Sequence, residues 1–207
     1  MKLALAAVLV LAGLAGAPAM GILALTAAAT TTMSAESCAP DDPDCTPAPG
    51  GAVLPPGGPV SPRVQIALRT AASLVGTRSG WYRKCDKLAC RMYGYYNSGY
   101  PTATVHWYRL LATGHAHPGA RCPPVGSFVF WATASSAGHV AFVVGNDGTC
   151  RPQGITVVTN DWGDTHTGAT GGVYATTLAG IENGWMTRTG YRGWTDPICA
   201  GTPLTQL

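Results

Sequence analysis

From Ser61 onward the apolar positions of the chain fall into a helical rhythm. Val64, Ala67, Leu68, Ala71 and Val75 recur at spacings of three and four, which lines them along one face of a helix. Ser61 supplies an N-cap, Pro62 a first position that needs no N–H, and Gly76 a stop, so a helix is predicted between them. A second helix is predicted from Cys85 to Gly94, with Cys85, Leu88, Ala89 and Met92 on one face. That reading turns Cys85 inward and places Cys90 about 140° away around the axis, facing elsewhere. A third runs from Thr102 to Thr113, with Ala103, Trp107, Leu110 and Leu111 apolar and Gly114 as its stop. The pattern then changes to short β-rich runs at residues 126–131, 139–145, 155–161, 172–176 and 191–194. Turn signals separate them, and no helix long enough for a parallel crossover lies between the second and third. Helices first and an antiparallel sheet afterwards define an α+β domain.

The segment before Ser61 has a different character. After Lys2 no charge occurs until Glu36, a run well beyond the roughly 18 to 20 apolar residues that span a bilayer. Ala17-Pro18-Ala19 offers a small-residue cleavage pattern, so residues 1–36 are expected to act as a signal peptide or, uncleaved, as a membrane anchor. Residues 37–62 are a Pro/Gly-rich linker, and residues 63–207 form the folded domain. The loop between Cys38 and Cys45 holds three Asp but lacks the spaced oxygen ligands and turn glycine of a calcium site. Net charge is only +3, with 11% charged residues. The cations form no stripe, which argues against nucleic acid as a partner.

Export changes how the cysteines are read. Disulfides persist outside the cytoplasm, yet seven cysteines leave one thiol over, and Cys85 is assigned as that residue. A thiol in the first turn of a helix meets the positive end of the backbone dipole, which is expected to bring it below its free value of about 8.5. Such a nucleophile needs an imidazole to take its proton and a polar group to orient that ring. His139, at the mouth of the second predicted strand after a Gly turn, fits the first role. Asp161, or alternatively Asn160, at the end of the following strand, fits the second. The competing reading makes Cys85 a bridged or core residue, His139 a structural histidine and Asp161 a turn former, in a disulfide-stabilised surface binding module. For the other six cysteines the favoured pairs are Cys38–Cys45, Cys90–Cys122 and Cys150–Cys199. His115 and His117 resemble a metal pair but have no further ligands nearby, so neither metal nor cofactor is expected. His106 and His166 are read as structural or surface residues.

The run WYRKCDKLAC, followed by SGYPTA, HW, PPVGSFVFW, GHVAFVVG, VVTND and a late GW, resembles the NlpC-type bacterial cell-wall cysteine peptidases over about residues 80–197. The order of a Cys-bearing helix, a Gly-His strand and a polar strand end carries the likeness. The chain departs from the family where Lys84-Cys85-Asp86-Lys87 stands in place of Asp-Cys-Ser-Gly, and in placing Asp161 where a histidine or amide is usual. The resemblance implies a reduced papain-like fold and hydrolysis of peptidoglycan stem peptides between the D-glutamyl γ-carboxyl and a diamino acid. Cys85 would then be nucleophile, His139 base and acid, and Asp161 the orienting group. A CHAP-type amidase would use the same residue types. Either activity places the domain outside the cytoplasmic membrane, secreted or tethered through its N-terminal segment.

Overall fold

The computed structural model describes residues 60–184 and 190–203; the predicted leader, the linker up to residue 59 and the Cys38–Cys45 pair lie outside the described residues. Helices α1 (Pro62–Leu74), α2 (Cys85–Met92) and α3 (Ala103–Ala112) come first. The strands β1 (Ala116–Pro118), β2 (Phe128–Trp131), β3 (His139–Asn146), β4 (Ile155–Asn160), β5 (Val173–Thr177) and β6 (Tyr191–Thr195) follow. Short helices α4 (Asp164–Thr167) and α5 (Leu178–Gly184) flank β5, and β7 (Ile198–Cys199) pairs with β8 (Thr202–Pro203). The main sheet has six strands in the order β1-β6-β2-β3-β4-β5, every pair antiparallel. The α+β class expected from the sequence is therefore present. No helix among the described residues is long and apolar enough to cross a membrane.

Local chemistry accounts for the helix boundaries. Ser61 Oγ accepts the Val64 N–H at 3.4 Å, and Thr102 Oγ1 accepts the Val105 N–H at 3.1 Å, so each satisfies a donor that the first turn leaves orphaned. Val64, Ala67 and Ala71 are the buried stripe of α1. On α3 the inward positions are Ala103, His106, Trp107 and Leu110, while Leu111 is 40% exposed. His106 takes the position three after Ala103, and Leu111 lies a further 100° round from Leu110.

Both faces of the sheet are covered. Phe128, Phe130, Val140, Phe142 and Val144 join the first three helices in one core. The alternate residues Val129, Trp131, Ala141, Val143, Ile155 and Val157 pack with Leu178 and Ile181 of α5 in a second. This is why β2 is apolar at every position instead of alternating.

The disulfides differ from the expected pairs. Cys90 is bonded to Cys199 (Cα–Cα 5.9 Å) and Cys122 to Cys150 (Cα–Cα 4.7 Å), replacing the predicted Cys90–Cys122 and Cys150–Cys199. The β3–β4 loop folds back on the segment entering β2, where Asn146 Nδ2 donates to Pro123 O at 2.9 Å, and this brings Cys150 to Cys122. Cys90, expected to face away from the inward stripe of its helix, is fully buried and lies in the main core. Asp86, Leu88, Ala89, Cys90 and Met92 are all buried, because an eight-residue helix wedged between neighbours has no single inward stripe. Cys85 is the free cysteine among the described residues, and only partly buried.

Candidate active site

The loop leading into α2 is held from the end of β4. Trp81 N–H donates to Gly171 O at 3.1 Å, and Lys84 N–H closes back on Trp81 O at 2.9 Å. Asn160 Nδ2 donates to the same Trp81 carbonyl at 2.6 Å. Arg83 adopts a left-handed backbone (φ 56), and its N–H donates to Asp161 Oδ2 at 2.9 Å. A non-glycine residue there is strained, and the fixed acceptor helps hold it. The result is a rigid turn that delivers Cys85 to the first position of α2.

The Cys85 sulfur lies against the start of β3. Burial pushes its thiol up to about 12; the N–H groups of Val140 and Asp86 oppose that shift, and the negative charges of Asp86 and Asp161 add to it. The expected lowering of this thiol is thus overturned. Two N–H groups and a short helix dipole offset less than desolvation costs the thiolate.

His139 follows Gly138, whose left-handed backbone (φ 69) leaves no room for a side chain, since a Cβ would lie 2.5 Å from Thr104 Oγ1 and 3.0 Å from Trp131 O. His139 Nε2 is 2.6 Å from Thr159 Oγ1. The Thr159 hydroxyl also lies 3.4 Å from Asn160 O, so it can donate there while accepting from Nε2–H, the tautomer that leaves Nδ1 as the basic nitrogen. Burial holds the imidazole down to about 3, so it is neutral at physiological pH.

The residue at the Nε2 end of the ring is therefore Thr159, which the sequence reading did not single out. Continuing the observed pairing of Phe142 with Val158 sets Ala141 opposite Thr159 and His139 opposite Asp161. Asn160 is opposite Val140, on the other face of the sheet. Asp161 leaves the extended conformation (φ 65), and its Oδ2 accepts from Arg83 N–H and, at 2.8 Å, from Asn160 Nδ2. Thr159, diagonal to His139 on the same face, meets the ring instead. Asn160 and Asp161, predicted to orient the histidine, are thus found clamping the loop that carries the thiol. The signal for Thr159 was its parity with His139 across a two-strand register.

Beside the thiol lies a second polar cluster that the sequence reading missed. Asp86 Oδ1 is 2.7 Å from His106 Nδ1, and Ser98 Oγ donates to Asp86 Oδ2. His106 Nε2 donates to Ile198 O at 2.8 Å, and Tyr100 stacks on the ring with centroids 4.3 Å apart. Because a carbonyl can only accept, the ring donates from Nε2, and Nδ1 faces the Asp86 carboxyl. The cluster ties α2 to α3 and to β7, and one core carries both it and the Cys90–Cys199 bridge.

His115 and His117 converge on Asp196 at 3.1 and 3.6 Å, and His117 stacks on Trp194. Among the described residues no group of three His, Cys, Asp or Glu is arranged to hold a metal ion. His166, on α4, is exposed.

Cys85, His139 and Asp161 line one cleft of about 730 Å³, together with Arg83, Lys84, Lys87, Ala132–Ser135 and Gly138. A thiol and a neutral imidazole sharing a cleft of that size can perform acyl transfer on a bound carbonyl compound. No family model, curated protein or solved structure matches the chain. Its class accordingly rests on its own architecture, an α+β domain with an antiparallel six-stranded sheet.

Proposed function

We propose that the protein is an exported cysteine peptidase of the reduced papain-like type, hydrolysing peptidoglycan stem peptides between the D-glutamyl γ-carboxyl and a diamino acid. The observation that carries this reading is that Cys85, a free cysteine at a helix start, and His139, at a strand start, line one cleft. Two disulfides within the domain favour an oxidising compartment, in keeping with an exported wall substrate.

In this mechanism the resting pair is a neutral thiol and a neutral imidazole. As the Cys85 sulfur attacks the scissile carbonyl carbon, its proton passes to His139, and the backbone N–H of Cys85 steadies the developing oxyanion. The imidazolium then protonates the leaving amine as the C–N bond breaks, leaving a thioester. Water, deprotonated by His139, hydrolyses the thioester and restores the thiol. Thr159 holds Nε2–H throughout.

The test is incubation of the purified full chain with peptidoglycan and identification of the products by mass spectrometry. Stem peptides cut after the second residue, absent with Cys85→Ala and with His139→Ala, are expected. Whole free stems would identify an amidase instead, and intact wall with a folded chain would leave a binding module.

A further inference from the structure

Helix α2 carries Cys85 at its first position and, one turn and a half further on, one half of the Cys90–Cys199 bridge. The other half belongs to β7, which pairs with the two-residue β8 in a ribbon separate from the main sheet. A two-stranded ribbon is marginally stable at best by itself, so its place is set by what it is fastened to. Ile198 O accepts from His106 Nε2 at 2.8 Å, and Ala200 N–H donates to Ser98 O at 2.7 Å. Gly99 has a left-handed backbone (φ 82), and a Cβ there would lie 2.9 Å from Ala200 Cα. The ribbon is therefore pressed against residues 97–100, of which Asn97, Ser98 and Tyr100 line the cleft. Ser98 Oγ in turn donates to Asp86 at the start of α2. The bridge thus joins the helix that delivers the sulfur to the ribbon that backs a wall of its cleft. Cys90 and Cys199 are wholly buried, so the bond, once made, is shielded from reductants. Cys122 and Cys150 differ on both counts, since neither lines the cleft and Cys122 is exposed.

We propose that closure of the Cys90–Cys199 bond is a redox switch that completes the cleft. With both thiols reduced, the sheet forms, but the 97–100 wall and the start of α2 are held loosely and the enzyme is latent. This rests on the peptidase reading above and specifies when that site becomes active. The step is thiol–disulfide exchange with a small-molecule or protein disulfide as donor. One cysteine thiolate attacks the donor, releasing one donor thiol and leaving a mixed disulfide. The second thiolate then displaces the other donor thiol as the protein S–S bond closes. Two electrons and two protons pass from the protein to the donor, which ends as two thiols. A reducing compartment keeps the chain latent, and an oxidising one activates it.

The experiment uses the purified full chain in three forms: bridged, refolded under dithiothreitol, and re-oxidised from the second form with glutathione disulfide. Each is assayed, free of reductant and oxygen, for kcat/KM on L-Ala-γ-D-Glu-L-Lys and for the rate at which iodoacetamide alkylates Cys85, read by mass spectrometry. Far-UV circular dichroism follows the fold. The reduced form is expected to keep its far-UV spectrum and to lose kcat/KM roughly 10- to 100-fold, since a displacement of about 1 Å at reacting groups can cost 10²-fold. Its Cys85, less enclosed, is expected to alkylate several-fold faster. Re-oxidation should reverse both changes in step with the appearance of the Cys90–Cys199 peptide in unreduced maps. Cys90→Ala/Cys199→Ala should match the reduced form and ignore glutathione disulfide, whereas Cys122→Ala/Cys150→Ala should respond as the wild type does. A folded reduced form with both rates unchanged overturns the switch, and so do rates that change only in step with loss of the far-UV signal. A chain that cleaves the peptide in no form overturns the peptidase, and the alkylation rates then decide the switch alone.

Discussion

Thr159→Val tests the assignment of the orienting group most directly. The substitution keeps the shape of a side chain that is wholly buried and removes only the oxygen 2.6 Å from His139 Nε2. In the resting state this strands an N–H in a buried setting, at a cost to stability of about 1–3 kcal/mol. The catalytic effect is separate, because in the proposed mechanism the ring is neutral at rest and charged in the transition state. A hydrogen bond is worth about 1 kcal/mol between neutral groups and about 1.5–3 when one partner is charged. The differential loss of about 0.5–2 kcal/mol corresponds to a fall in kcat of roughly 2- to 30-fold. KM should change little, since Thr159 does not line the cleft. Thr159→Ser, which keeps the oxygen, should recover most of both losses. Urea unfolding and hydrolysis of a stem peptide on the same samples give the two readouts. A Thr159→Val protein with undiminished kcat would refute the assignment, whatever its stability.

Two further outcomes follow from the buried pair. With the Cys85 thiol pushed up to about 12, its alkylation by iodoacetamide at pH 7.5 should be on the order of 10³-fold slower than that of a free cysteine, rising about tenfold per pH unit; a plateau with a midpoint below pH 8 would instead reveal a preformed thiolate. His139 is held down to about 3 from an ordinary 6.5, so between those values the unfolded chain binds a proton that the folded one refuses. Its contribution to stability is present above pH 6.5 and is lost as pH falls toward 3, by up to about 1.4 kcal/mol per pH unit. His139→Gln should flatten the acid limb of stability measured by denaturant unfolding, and parallel limbs for the two proteins would contradict a buried neutral ring.

The fold was legible where local chemistry and tertiary packing agree. Ser61 and Thr102 cap the helices they were expected to cap, and the five predicted β runs are all strands. It was less legible where packing sets the rule. The face of α2 was inferred from spacing, which presumes one buried side, but a short helix enclosed by the sheet, α1 and β7 buries Cys90 and Asp86 as well. The Cys90–Cys122 and Cys150–Cys199 pairs failed for a related reason, since helical spacing does not show where Cys90 packs, nor the sequence which segment the β3–β4 loop folds against. β1 and α5 went unpredicted; α5 matters because it covers the second face of the sheet.

The site shows how far a single register step carries. The positions of Cys85 and His139, at the starts of α2 and β3, were readable from local signals. A third member depends on which face a residue shows at the end of a different strand, and there the side-chain period of two makes a one-residue error complete. Asn160 fails because it points to the helix side, where it meets Trp81. Asp161 has the right parity, yet its left-handed backbone turns it toward Arg83, and nothing in the residue type forces that conformation. Thr159 has both the parity and the extended backbone. A threonine inside a β-branched run, however, looks in sequence like any other strand residue, and its distinguishing feature, a hydroxyl facing a buried imidazole, exists only once β3 and β4 have paired. Asn160 and Asp161 still bear on the site, because they clamp the loop that delivers Cys85 to the start of α2.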